Sequence, residues 1–229
     1  MLMEAALDEY LPFWKQLSSA QQRVLQAQVV KRLVKAGTVV HNGSMDCVGL
    51  VLVISGRLRA YILSDEGREI TLYRLINRDM CLFSASCIMN GIEFDIIVEA
   101  EEETEFFNIP AAGYKEIMQE SAAVSNYTNQ LMATRFSDVV WLLDQILHKK
   151  LDSRLAAFLV EESELEDSLN LRITHERIAQ HLGNAREVIT RLLNYFCDEG
   201  LIGLSRGEIS IIEPKRLIER ASGSLRQGV

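Results

Sequence analysis

The sequence lacks the features by which several large classes of protein are identified. No apolar run approaches the ~18 residues that a membrane-spanning helix requires, so a membrane protein is not expected. The opening stretch, MLMEAALDEYLPFW, is acidic and contains no Lys or Arg, which is not typical of a secretory signal. These absences predict a soluble protein located in the cytoplasm.

Signatures of catalysis and of metal binding are missing as well. The chain has no P-loop, no GxGxxG sequence and no Ser/His/Asp arrangement, and its four histidines are scattered. The four cysteines form no CxxC pair and have no spacing typical of a zinc site. They are Cys47, Cys81, Cys87 and Cys197. We therefore expect a protein that is not an enzyme, that holds no metal, and whose cysteines are reduced.

The composition is that of a folded protein with two unlike halves. Hydrophobic residues make up 48 % of the 229 residues, which excludes wholesale disorder. The net charge of −8, taken over the whole chain, argues against a nucleic-acid binder. Residues 1–148 hold 12 Lys and Arg against 19 Asp and Glu, whereas 149–229 hold 12 against 13. This asymmetry indicates an acidic module followed by a nearly neutral one, as in a sensor joined to a DNA-binding module and also in many enzymes.

Short β-rich runs occupy residues 31–110, and helical patterns follow them. The runs are separated by glycines and by Asn-Gly at 90–91, with no room for helices between them. They predict an antiparallel sandwich or barrel. Residues 111–120 predict a short helix, and 122–148 run without Gly or Pro, long enough for a helix of ~40 Å. Such a broadly apolar helix could be buried in its own domain, but its length favours a dimer helix.

Residues 174–196 carry the pattern from which function is inferred. Thr174 predicts a helix N-cap, and Gly183 the left-handed residue that ends the same helix. A second helix follows at once. Its predicted inner face is Val188, Ile189, Leu192, Leu193 and Phe196, and its predicted outer face is Arg186, Glu187, Thr190, Arg191 and Asn194. An ordinary helical hairpin would have the same turn, but the polar residues at these offsets favour a helix-turn-helix.

The chemistry of this outer face suits recognition of DNA in the major groove. Arginine can donate two hydrogen bonds to guanine, and glutamate can accept one from cytosine. The following LIGLSRGEISII predicts a hairpin that turns at Arg206 and Gly207, where a wing would lie beside the duplex. The candidate DNA-binding residues are Thr174, His175, Arg186, Glu187, Thr190, Arg191, Asn194 and Arg206.

The segment ITHERIAQHLGNAREVITRLL followed by LSRGEISI resembles the CRP/FNR family of bacterial transcription regulators. The match extends over nearly the whole chain. It implies an α+β fold with a cyclic-nucleotide-binding-like, jelly-roll-like antiparallel β-roll over 1–120, a dimerisation helix over 121–148 and a winged helix-turn-helix over 149–229. It also implies a homodimer that binds double-stranded, pseudo-palindromic DNA under the control of an effector, with RNA polymerase as a further partner.

By this resemblance, Arg186, Glu187 and Arg191 lie where the family contacts base edges, and Thr174 lies where it contacts phosphate. Ala185 departs from the Ser or Thr that the family often has, and Arg177 from a common Glu. These changes bear on which DNA site is preferred.

The sensor half departs further from the cyclic-nucleotide members. Their Gly-Glu-Leu turn and Arg-Ser/Thr-Ala run are missing from RDMCLFSASCIMNGIEFDIIVEA. Glu93 and Asp95 lie near the expected place of the phosphate-binding arginine. Val139 and Val140 replace the family's nucleotide-contacting hydroxyl pair. We therefore predict that the effector is not cyclic AMP.

The segment CLFSASC lies where the family places its ligand cassette, and two interpretations are open. It is either a short helix that packs apolar side chains into the roll, or a pocket for a small molecule or a redox signal. The candidate effector-binding residues are Cys81, Ser84, Ser86 and Cys87. The effector and any cofactor stay unidentified.

Two alternative functions remain at this point. One is a protein-interaction module whose winged helix docks protein, which the acidic balance favours. The other is a haem or redox sensor of the same architecture. Its only histidine in the roll would be His41, which we expect to be exposed in the polar turn VHNG.

Overall fold

The computed structural model of the chain describes residues 4–43, 47–88 and 95–225. The fold is α+β and divides into two compact units. One unit is Met1–Leu63 with Leu72–Val139, and the other is Ser64–Thr71 with Val140–Val229. Within the described ranges, no helix combines the length and the apolar character needed to cross a bilayer.

Two four-stranded antiparallel sheets lie in the first unit, as the β-rich runs predict, except that the first three residues of β5 are counted with the second unit. The strands are β1 (Val30–Val34), β2 (Val39–Asn42), β3 (Leu50–Ser55), β4 (Leu58–Leu63), β5 (Glu69–Leu75), β6 (Met80–Cys81), β7 (Ile97–Ala100) and β8 (Thr104–Ile109). One sheet has the order β1-β8-β3-β6, and the other has the order β2-β7-β4-β5. Two short helices precede them, α1 (Glu4–Tyr10) and α2 (Ser19–Gln28).

The central strands are apolar on both faces because each face packs into a different core. In β8, Phe106 points between the two sheets, whereas the next residue, Phe107, packs against the helices. In β3, Val51 likewise points between the two sheets, and Leu52 packs against the helices. A strand that is buried on both faces has a continuous apolar sequence rather than an alternating one.

Two expectations about the roll are wrong. His41 is not exposed: it lies within β2, opposite Val98, and is only 2 % exposed. The strand runs through Asn42, so the residues read as a polar turn belong to the sheet, and side chain 41 points inward. The cysteines are not all reduced, because Cys47 is disulfide-bonded, although Cys81 and Cys197 are free thiols.

A short helix and a long helix follow the strands at the expected positions. The short helix α3 spans Ala111–Glu120, and the long helix α4 spans Ala122–His148. The Tyr114 hydroxyl lies 2.8 Å from the Thr128 hydroxyl and links the two helices. Leu131 packs against the core of the first unit. Exposed apolar side chains form a stripe farther along α4: Phe136, Val139, Val140, Leu143, Ile146 and Leu147.

The second unit surrounds a separate core. Its elements are α5 (Leu151–Leu165), β9 (Asn170–Leu171), α6 (His175–Leu182), α7 (Arg186–Asp198), β10 (Ile202–Ser205), β11 (Glu208–Ile211) and α8 (Pro214–Arg220). The strands form a small antiparallel sheet in the order β10-β11-β9. Pro214 opens α8 at its first turn, where its missing N–H costs nothing.

Candidate nucleic-acid interface

The turn between α6 and α7 is built by local interactions that the sequence encodes. The Thr174 hydroxyl accepts a hydrogen bond from the Arg177 amide at 3.1 Å and caps the start of α6. Gly183 adopts the left-handed conformation, with φ of +67°, and ends α6. Ala185 is the N-cap of α7 and offers no side-chain cap. As a result, α7 begins almost immediately after α6 ends.

Burial of one face of α7 fixes which residues point outward. Ile189, Leu193 and Phe196 are completely buried and pack in the same core as Ile178 and Ala179 of α6. The opposite face therefore points to solvent. Its exposed side chains are Arg186, Glu187, Arg191 and Asn194. An exposed polar face on a well-anchored helix is what insertion into a major groove requires.

Two of the predicted residues bond to each other instead of both pointing outward. His175 Nδ1 lies 3.0 Å from the Thr190 hydroxyl, and both side chains are half-buried. The contact ties the first turn of α6 to the middle of α7. Burial and the positive charge of Arg186 lower the pKa of His175, which favours the neutral form of its imidazole.

The hairpin of β10 and β11 borders a cleft beside the helix-turn-helix. Its turn is closed by Gly207, with φ of +78°, next to the exposed Arg206. The cleft is lined by Ile173, Thr174, His175, Glu176, Arg186, Ser205, Gly207, Glu208 and Ile209. The first turns of α6 and α7 both border this space, and the first turns of helices attract phosphate through their free amides. Glu176 and Glu208 partly offset that attraction.

The structure thus brings Thr174, His175 and Arg186 together in one cleft. Arg191 and Asn194 continue along the exposed face of α7, and Arg206 lies at the tip of the hairpin. The arrangement offers donors and acceptors to base edges along α7, and amides with cationic side chains to phosphates beside it.

Two of the four candidate effector residues, Cys81 and Ser84, lie in the core of the first unit. Cys81 and Ser84 are completely buried, and the Ser84 hydroxyl donates to the Cys81 carbonyl at 3.0 Å. The Tyr73 hydroxyl lies 3.9 Å from the Cys81 sulfur, and burial raises the pKa of Tyr73 well above its usual value. Ser86 and Cys87 belong to the 3₁₀ segment Phe83–Ile88, and their side chains lie outside the described part of the chain.

A buried cation near this cluster was not anticipated. Arg135 of α4 is 7 % exposed, and its guanidinium lies over the Tyr73 ring at 4.4 Å. It pairs with Asp138 at 3.0 Å and approaches Asp79 at 3.8 Å. The spacing of Arg135 and Asp138 along one helix is a signal for their pairing. Nothing in the local sequence marks this pair as buried. Among the described residues, no group of three or more His, Cys, Asp and Glu side chains is arranged to hold a metal ion.

Comparisons with known proteins point in one direction. A family model described as the Crp-like helix-turn-helix domain matches residues 153–220. The solved structure of a protein from Eubacterium rectale, assigned to the CRP/FNR family of transcriptional regulators, is 58 % identical. That match covers 93 % of this chain and 99 % of the other, with a TM-score of 0.91.

Curated relatives are more distant. The Global nitrogen regulator of Synechococcus elongatus is 23 % identical over 180 residues, which cover 75 % of this chain and 80 % of the relative. The Cyclic AMP receptor protein of Thermus thermophilus is 26 % identical over 174 residues, which cover 76 % of this chain and 80 % of the relative.

Proposed function

The chain belongs to the CRP/FNR family of transcription regulators, and from this premise we propose that it acts as a homodimer that binds a pseudo-palindromic DNA site and changes transcription there. The family membership makes it a regulator with a helix-turn-helix domain and not an enzyme. In this proposal, residues 1–120 sense an effector, 121–148 form the dimer helix and 149–229 bind DNA.

The observation that carries the proposal is the exposed polar face of α7 beside the cleft. Arg186 and Arg191 would each donate a pair of hydrogen bonds to guanine, and Glu187 would accept one from cytosine. Asn194 lies on the same exposed face, and the half-buried Thr190 lies beside it in contact with His175. Thr174, His175 and Arg206 border the path that a phosphate backbone would take and would fix the register of the protein on the duplex.

The exposed stripe of α4 supports the homodimer. Six apolar side chains between Phe136 and Leu147 are exposed in the single chain, and their spacing of three and four residues follows one helix face. Pairing this face with its copy would bury all six. A two-fold dimer would then present its two α7 helices to half-sites one helical turn apart, about 34–36 Å.

The effector is proposed only by its chemical class. A small molecule or a redox signal would act on the β-roll near Cys81 and Ser84, and RNA polymerase would be the partner that receives the effect. The cytoplasm is the compartment in which such a regulator works. Cyclic AMP is not proposed, because residues 80–100 contain no Lys or Arg to pair with its phosphate and include Glu93, Asp95 and Glu99. Glu93 lies outside the described residues, so its charge is cited from the sequence alone.

Selection of bound duplexes from a random pool tests the proposal. The expected result is one motif with dyad symmetry, whose halves repeat about 10 base pairs apart. Affinity for that motif should also fall steeply as salt increases, because phosphate contacts release counterions. A protein-interaction module would enrich no motif and would show no steep dependence on salt, and this outcome would reject the proposal.

A further inference from the structure

A buried arginine from α5 reaches the turn that precedes α7. Arg154 lies in the first part of α5 and is 9 % exposed. Its Nη2 donates to the Leu182 carbonyl at 2.9 Å. That carbonyl belongs to the last residue of α6, where a helix leaves carbonyls without partners in the helix itself. The Asn184 side-chain amide donates to the same oxygen at 3.1 Å.

Stability alone does not account for a charge at this position. Burial lowers the pKa of Arg154, which reflects the cost of holding the guanidinium away from water. The core of the second unit is apolar and includes Leu155 and Leu159, which lie on the same helix as Arg154. An apolar side chain of similar volume would pack there without that cost. The presence of a guanidinium is explained instead by its hydrogen bond to the Leu182 carbonyl.

The Leu182 carbonyl lies immediately before the turn that sets the direction of α7. Leu182 is followed by Gly183, Asn184 and Ala185, after which α7 begins. One turn farther along α5, the ring of Phe158 packs against His181, with 5.1 Å between the ring centroids. Arg154 and Phe158 of α5 therefore both contact the end of α6, just before the turn. The turn contains Gly183, whose backbone has few steric limits, so the contacts from α5 restrict the conformations that the turn can adopt.

We propose that Arg154 is a positioning residue for DNA recognition, which holds the α6–α7 turn so that α7 meets base edges at the correct angle. The inference rests on the proposed DNA-binding function. Arg154 touches no DNA in this scheme and acts through the Leu182 carbonyl. Its loss would therefore reduce discrimination between sequences more than it reduces the salt-dependent affinity for any duplex.

The experiment compares the full-length wild type with Arg154→Leu, Arg154→Lys and the control Arg216→Leu. Arg216 also donates to a backbone carbonyl, that of Glu199 at 3.4 Å, but it does so on the exposed surface at the far end of α7. Two quantities are measured for each folded variant. The first is the ratio of affinities for the selected duplex and a scrambled one. The second is the hydrogen-exchange rate of the amides of residues 183–189 in the protein without DNA.

Arg154→Leu should lower the affinity ratio about tenfold and speed exchange in residues 183–189 about tenfold, the effect of losing one charge-assisted hydrogen bond. Arg154→Lys should recover most of both values, because its ammonium can donate to the same carbonyl. Arg216→Leu should leave both values unchanged.

The proposal is overturned if folded Arg154→Leu keeps its affinity ratio and exchange rates within about twofold of the wild type. It is also overturned if Arg154→Lys behaves like Arg154→Leu. Should the leucine variant fail to fold, Arg154→Gln is judged by the same two limits. A wild type without any sequence preference would reject the DNA-binding proposal itself, and the exchange rates would still test the contact between Arg154 and the turn.

Discussion

In the proposed complex with DNA, Arg186 is the residue whose loss should affect sequence discrimination most directly. It is exposed at the first position of α7 and borders the cleft beside the wing. Arg186→Ala should cost ~1–3 kcal/mol of discrimination at one base pair of each half-site. Competition binding with duplexes changed at single positions measures this cost. Arg216→Ala, on α8, serves as the control. A uniform loss on every duplex would show that Arg186 contacts phosphate and reads no base.

His175 should make DNA binding depend on pH. Burial and Arg186 lower its pKa in the free protein, whereas a phosphate beside the imidazole would raise it in the complex. Glu176 and Glu208 also line the cleft that His175 borders, with and without DNA. The complex therefore binds more protons than the free protein, so affinity falls as pH rises from below the ordinary histidine pKa of ~6.5 through the higher pKa of His175 in the complex.

His175→Gln separates this effect from other titrations. A glutamine amide can still bond to the Thr190 hydroxyl but does not titrate. The pH dependence of affinity should be lost in this variant and kept in His148→Gln, which changes an exposed histidine of α4. If His175→Gln retains the full dependence on pH, the proton is taken up elsewhere.

Among the elements, α4 carries the prediction about assembly. Phe136 is 71 % exposed and Leu143 is 53 % exposed in the single chain. Replacing both by Asp places charges in the proposed seam and should give monomers that bind DNA weakly. Sedimentation measures the oligomeric state, with Gln130→Asp on an exposed polar position of α4 as the control. A dimer that survives the double change would place the interface elsewhere.

Leu131 illustrates what a sequence pattern leaves open in such a helix. Its apolar character fits either a dimer seam or a contact within the chain, and the structure places it against the core of its own unit. The bounds of α4 were predictable, because no Gly or Pro interrupts residues 122–148. The division of its apolar residues between two faces depends on which sheet and helices pack against it, and local sequence does not specify that.

The helix-turn-helix was predictable because its signals are local. The signals are Thr174, Gly183 and the helical spacing of apolar and polar residues along α7. All of them lie within 23 consecutive residues, 174–196. Three other features escaped prediction. The strand β9 is two residues long, too short for a period. The burial of His41 depends on how far β2 extends. Arg154 meets Leu182, which lies 28 residues away, so only the tertiary fold brings them together.

At the scale of the whole molecule, the protein is acidic, but the segment proposed to bind DNA is slightly basic. The net charge is −8, yet residues 170–206 hold five Arg against four Asp and Glu. Repulsion from the acidic parts should keep non-specific binding weak at moderate salt, and base contacts along α7 then have a larger share in total affinity.

Cyclic nucleotides should not stabilise the protein. A buried phosphate needs a cation, and two nearby arginines already have carboxylate partners: Arg74 pairs with Glu101 at 2.9 Å, and Arg135 pairs with Asp138 at 3.0 Å. Cyclic AMP or cyclic GMP at ~1 mM should leave the melting temperature unchanged, whereas a ligand with a Kd of ~10 μM would add ~2.7 kcal/mol. A clear rise with either nucleotide would restore the usual effector of the cyclic-nucleotide members.

Methylation interference on the selected duplex tests most directly that α7 reads bases in the major groove as part of a dimer. Guanine N7 faces the major groove, and adenine N3 faces the minor groove. Methylation of one guanine N7 in each half-site should block binding by the wild type, at two positions about 10 base pairs apart. Arg186→Ala should remove this interference. Interference confined to adenine N3, or at one half-site only, would contradict the account.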